Sequence, residues 1–171
     1  HASREIQLNG LAVAPGFINM LSWSVESLIE DGRSQSEIRQ GVTLEVMGEG
    51  TSMGPVSEAM KASRTRGILG NNHIQYEVEW STLGEYLEWL AQRGVSTNIA
   101  SFVGTGTLRT YVMGDNDRPP TDAELNAMAD LVRQAMQEGA VGMSAALIYP
   151  PAAYASTAEL ITLAKAVAEY D

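Results

Sequence analysis

Residues 121–151 read TDAELNAMADLVRQAMQEGAVGMSAALIYPP, and this stretch decides the fold. Thr121 is followed three residues later by Glu124. That is the capping-box pattern, in which two side chains satisfy free N–H groups at a helix start. Leu125, Met128, Val132 and Met136 then recur at helical spacing and give the helix one apolar face. Gly139 can take the left-handed conformation that ends a helix. The run AVGMSAALIY follows, short and apolar on both faces, as in a parallel strand covered by helices. Pro150 and Pro151 close the unit.

The same unit recurs along the chain. Ser34 with Glu37 precedes Gly41 and the strand VTLEVMG. Thr82 with Glu85 precedes Gly94 and VSTNIASFVG, with Leu83, Tyr86, Leu87 and Leu90 on one helix face. Ser156 with Glu159 opens a last helix. LAVAPGFINML at 11–21 supplies a first strand, so the order is β, α repeated four times. Alternation of this kind implies an α/β fold with a parallel sheet. An open doubly wound sheet and a (β/α)8 barrel both fit. A full TIM barrel has eight strands and about 250 residues, whereas this chain has 171 residues and four strand signals. On the barrel reading it is the N-terminal half, exposing two sheet edges and an apolar interior. Such a half should form a homo-oligomer or be completed by the missing C-terminal half. Between the second strand and second helix the pattern is less regular. PVSEAMKAS reads as a short helix and RTRGILGNNHIQYEVEW, 64–80, as an excursion.

Composition narrows the partners. The chain is 44% apolar and 19% charged, which favours a folded domain over disorder. Its net charge of −10 comes from 11 basic and 21 acidic residues. That argues against nucleic acid and against an anionic membrane surface, both of which need clustered Lys and Arg. No apolar run approaches the roughly 20 residues of a membrane span. The absence of cysteine excludes disulfides and thiolate metal ligands within this chain. It leaves the compartment open, with the cytoplasm as default, and a signal could precede His1.

APGFIN at 14–19 followed by QGVTLEVMGEG at 40–50 resembles the amidohydrolase superfamily, in particular its D-aminoacylase (N-acyl-D-amino-acid deacylase) branch. The similarity continues through EYLEWLAQRGVSTNIASFVGTGTLR at 85–109 and from Pro120 to Tyr170. The resemblance implies a metal-dependent (β/α)8 barrel, with residues 1–12 as the end of a small β-domain or a lead-in strand and 13–171 as part of the barrel. It implies zinc or another divalent metal in the full-length protein and a small-molecule amide substrate. It also implies hydrolysis of a non-peptide C–N bond by metal-activated water. Further metal ligands and a catalytic Asp would lie beyond residue 171. The departures are specific. The family's His-x-His positions hold Leu21 and Trp23, its Asp is Asn19, its Asn-Cys pair is Glu49-Gly50, and Thr105 stands where His is often found. NMLSW together with GEG reads as the mark of a subgroup.

Hydrolytic zinc needs at least three His, Cys or carboxylate ligands and an open position. This chain offers only His1, at a terminus, and His73, in a polar loop. It cannot build the family's metal centre alone. Glu49 ends the second strand beside the family's Cys position, and two roles are open to it: an oxygen ligand for the metal, or a general base. A solvated turn carboxylate is the plain alternative. Glu45 interrupts the same strand and should need a partner, Arg39, Arg109 or a metal, with a structural ion pair favoured. Ser22, Thr105, Ser144 and Tyr149 fall at or past strand ends, the catalytic face of a barrel. Thr105, Ser144 and Tyr149, with Arg109 as a carboxylate fork, are the candidate substrate-binding residues; turn packing, or an ion pair for Arg109, is the alternative. Gly48, Gly50 and Gly54 do not make a dinucleotide loop, because their spacing is one residue too long and Glu49 would repel a pyrophosphate. Met47, Met53, Met113, Trp80 and Trp89 read as packing. The functional expectation is thus an amidohydrolase, with this piece inactive in isolation. The rival is a non-catalytic barrel used for binding or assembly.

Overall fold

The computed structural model describes residues 5–63, 74 and 76–170. Strand β1 (Phe17–Asn19) pairs in parallel with β2 (Val42–Met47), and β2 with β3 (Asn98–Ser101). After Phe102 the chain continues as β4 (Val103–Gly104), which pairs in parallel with β5 (Met143–Ser144). Neighbours in space are therefore neighbours in sequence, all parallel, as in a (β/α)8 barrel. The third strand changes partner at Phe102. The Phe102 N–H donates to the Met47 carbonyl (2.9 Å), and the Val103 N–H to that of Gly142 (3.0 Å). The sequence pattern anticipates one strand here, and this exchange divides it into two.

Helices connect the strands. They are α1 (Ser27–Glu30) and α2 (Gln35–Ile38) before β2, and α3 (Glu58–Ser63) and α4 (Leu83–Arg93) before β3. Then come α5 (Thr105–Met113) and α6 (Asp122–Gln137) before β5, and α7 (Thr157–Val167) after it. The capping boxes of α4 and α6 form as the sequence implies. Thr82 and Thr121 accept from Glu85 N–H and Glu124 N–H, and each glutamate returns a bond to the capping residue. Gly94 and Gly139, with φ of +84° and +99°, turn the chain out of these helices. At α7 only half of the box exists. Ser156 accepts from Glu159 N–H, but the Glu159 carboxylate goes to Arg109.

Ser34 corrects the pattern. It forms no side-chain cap, and its own φ is +43°. Its hydroxyl instead donates to Glu45 at 2.8 Å, and α2 is one turn long. A buried carboxylate outcompetes a solvent-exposed helix end for that hydroxyl, because the buried group has no water to fall back on.

Between strands and helices lies one apolar core. Leu83, Tyr86 and Leu90 of α4, Met128 and Val132 of α6 and Leu163 of α7 meet Met47, Val103, Leu108 and Trp80, all buried. Each such side chain contributes roughly 1.5–3 kcal/mol through burial. Met53 and Met113 are buried too, and Trp89 packs against the cluster. Beside the outer strands, apolar side chains are open to solvent. Phe17, Ile18, Met20 and Leu21 at the β1 edge, and Val141, Leu147 and Ile148 around β5, are exposed. Residues 5–16 form no strand and are exposed, with a turn at Asn9–Gly10. The excursion at 64–80, His73 included, lies largely outside the described residues.

Candidate functional site

The C-terminal ends of the strands converge on a pocket of about 350 Å³. Trp23 comes from the segment after β1, and Glu49 and Thr51 from the loop after β2. Gly106 comes from the first turn of α5, and Ala146 and Tyr149 from the loop after β5. The same strand ends form the active face of a (β/α)8 enzyme.

Glu49 sits at the tip of the turn Gly48–Glu49–Gly50. The flanking glycines have φ of +91° and +65°, a conformation that other residues adopt only with strain. Both are also crowded. A Cβ on Gly48 would lie 2.3 Å from the Phe102 carbonyl oxygen, and one on Gly50 would lie 2.4 Å from Ala146 Cβ. The Gly106 N–H donates to the Gly50 carbonyl at 2.9 Å. Ser144 grips the same turn from β5: its Oγ accepts from the Gly50 N–H at 2.9 Å and donates to the Gly48 carbonyl. The backbone under Glu49 is thus fixed on both sides, while its half-buried side chain faces the pocket.

The other candidates fall elsewhere. Glu45 has neither Arg39 nor Arg109 as partner. It is fully buried and accepts from three hydroxyls: Ser22 (2.6 Å), Ser34 (2.8 Å) and Thr97 (2.8 Å). It faces the helix layer, as Met47 does two residues on, and does not point into the barrel. Burial alone would raise its pKa. The hydroxyl donors outweigh that and hold it below the usual carboxylate value. Ser22 is consequently committed to Glu45.

Arg109 is not at the pocket mouth. It is 0% exposed and donates through Nη1 to both carboxylate oxygens of Glu159, at 2.8 and 2.7 Å. Its Nη2 donates to the Arg118 carbonyl at 3.0 Å. The guanidinium therefore joins α5 to α7 and holds the loop between α5 and α6. Thr105 is buried at the start of α5 and does not line the pocket; its hydroxyl has no hydrogen-bond partner among the described residues. Of the sequence candidates, Glu49 and Tyr149 reach the pocket and Ser144 touches its rim through the turn. Trp23 and Gly106 line it as well. Trp23 was open to recognition from its place just past the first strand, whereas nothing local marks Gly106.

No family model matches the chain. Individual relatives do. It is 35% identical over 165 residues to a D-aminoacylase of Alcaligenes xylosoxydans xylosoxydans, covering 96% of this chain and 33% of the relative. It is 36% identical over 157 residues to an N-acyl-D-aspartate deacylase of the same organism, covering 91% and 31%. A D-aminoacylase crystal structure, described as defining a novel subset of amidohydrolases, superposes with a TM-score of 0.79 at 32% identity. The N-acyl-D-glutamate deacylase from Bordetella bronchiseptica, complexed with zinc and a phosphonate inhibitor, gives 0.76 at 31%. The homologues and structural neighbours of this chain are D-aminoacylases and N-acyl-D-amino-acid deacylases of the amidohydrolases. The chain spans about a third of the length of the curated relatives it matches, and its strands and helices are the corresponding part of their barrel.

A binuclear metal centre is described for D-aminoacylase. The described residues of this chain do not fit such a centre on their own. Leu21 and Trp23 are exposed apolar groups. No group of three or more His, Cys, Asp or Glu side chains is placed to hold a metal ion among the described residues. Among the described residues, Glu49 is the one carboxylate that lines this pocket. No helix of the described residues is long and apolar enough to cross a membrane.

Proposed function

We propose that the protein carrying this chain is a hydrolase of amide C–N bonds outside peptides, nearest in chemistry to the N-acyl-D-amino-acid deacylases. The observation that carries the reading is the pocket at the strand ends, in a chain homologous over 96% of its length to a D-aminoacylase. Within it Glu49 is the reactive group of this chain. As a carboxylate it serves either as an oxygen donor to a divalent metal, zinc or another, or as the base that takes a proton from the attacking water. One carboxylate cannot hold a metal, so any remaining donors come from outside the described residues. Tyr149 and Trp23 offer an aromatic flank and a phenol to the acyl or amino-acid part of the substrate.

The test is Glu49→Gln in the protein that carries this chain, assayed on N-acyl-D-amino acids with neutral and acidic side chains. We expect kcat to fall by about 100-fold or more, with the fold intact by circular dichroism. Unchanged turnover would remove Glu49 from the mechanism. The exposed Leu21 and Trp23 at the family's histidine positions favour one other reading, a barrel used for binding or assembly. Ligand binding without turnover of any N-acyl amino acid by the wild-type protein would decide for it.

A further inference from the structure

We infer that Ser144 is a positioning residue whose hydroxyl sets the direction of the Glu49 carboxylate, and not a substrate-binding group. The inference rests on the role proposed for Glu49. Its basis is the double use of one oxygen. Ser144 Oγ accepts from the Gly50 N–H at 2.9 Å and donates its proton to the Gly48 carbonyl. A serine hydroxyl has one proton to give. That proton is taken by Gly48 and one of the two lone pairs by Gly50, so the hydroxyl has no proton and a single lone pair left for a substrate. Both partners belong to the turn with Glu49 at its tip, one on each side.

The reach of this contact is long. Ser144 lies 94 residues from Gly50 and 96 from Gly48. Strand pairing sets Ser144 opposite Gly104. Gly104 itself must be a glycine, since a Cβ there would lie 2.5 Å from the Gly50 carbonyl oxygen. The β4–β5 pair thus presses directly on the Glu49 turn and delivers the hydroxyl to it. The turn needs such a clasp, because two glycines flank Glu49 and glycine alone confers freedom. Without the hydroxyl the Gly48 carbonyl and Gly50 N–H would lose a shared partner, and the carboxylate would sample several directions. Displacement of a reacting group by about 1 Å can cost 100-fold in rate.

The experiment is a double-mutant cycle in the protein that carries this chain, with Ser144→Ala, Ser144→Thr, Glu49→Gln and Ser144→Ala/Glu49→Gln. Amide hydrogen exchange at Gly50 is measured in parallel. We expect S144A to lower kcat by about tenfold or more with KM changed less than about threefold, since the group acts through another and not on substrate. S144T, which keeps the hydroxyl, should restore most of kcat. On the E49Q background S144A should cost nothing further. The Gly50 amide should exchange about tenfold faster in S144A. A KM effect without a kcat effect would overturn the inference in favour of substrate binding. So would an S144A loss that multiplies with that of E49Q, or a Gly50 amide equally protected in S144A. A harmful E49Q beside a neutral S144A would overturn the Ser144 role alone. A silent E49Q would overturn the reading of Glu49, and this inference with it.

Discussion

At the scale of single residues, this chain settles its buried charges in two different ways. Arg109 meets Glu159 through two short bonds from Nη1, and its Nη2 reaches backbone carbonyls, while its Nε has no hydrogen-bond partner among the described residues. Among the described residues Glu45 has no cation at hydrogen-bonding distance and is held by hydroxyls alone. The second arrangement makes stability depend on pH in a definite direction. The folded pKa of Glu45 lies below its ordinary value of 4.5. Its contribution is therefore fully present above about pH 4.5 and is lost as pH falls through the lower, folded value. Glu45→Gln removes the charge and one acceptor, and should destabilise the fold by roughly 1.5–3 kcal/mol at pH 7. Urea midpoints at pH 7 and pH 3 should show the gap between the variant and the wild type closing at the lower pH. A gap independent of pH would mean that the Glu45 charge contributes nothing to folding.

At the scale of elements, identical signals in the sequence meet different fates. Thr121-x-x-Glu124 and Ser34-x-x-Glu37 look alike, yet only the first is a cap. Thr121→Ala should then cost about 1 kcal/mol, the ordinary loss of an N-cap. Ser34→Ala should cost more, about 1–3 kcal/mol, because it strips a bond from a buried carboxylate. Thermal melts of the two variants give the order directly, and a larger loss for Thr121→Ala would contradict it. This contrast also explains how much could be read in advance. Periodicity, two of the caps and the closing glycines are local properties, so the order of strands and helices was legible, whereas the choice of a barrel over an open sheet rested on the resemblance to the amidohydrolases. Glu49 was legible because it ends a strand. The partner of Arg109 lies 50 residues away and the partners of Ser144 more than 90. No spacing rule reaches that far, so the sequence left Arg109 and Ser144 open between substrate and structural roles, and the structure engages both with the protein.

For the molecule as a whole, the decisive property is its pair of open sheet edges. Strands β1 and β5 each lack a second neighbour among the described strands, and the apolar side chains beside them are exposed, Ile148 at 79%. Unpaired strand edges beside exposed apolar groups favour association. The isolated 171-residue chain should therefore self-associate in a concentration-dependent way by sedimentation velocity and show no deacylase turnover. A stable, active monomer would contradict this. Assembly order follows from the Glu45 cage. Its three hydroxyls lie at positions 22, 34 and 97, so on the ribosome the carboxylate keeps its water until the chain has emerged past Thr97. Dehydrating it earlier would leave a buried charge short of one bond. The first two strands should therefore complete their packing only once the third arrives, and synthesis from the N-terminus would set the sequence in which the sheet closes.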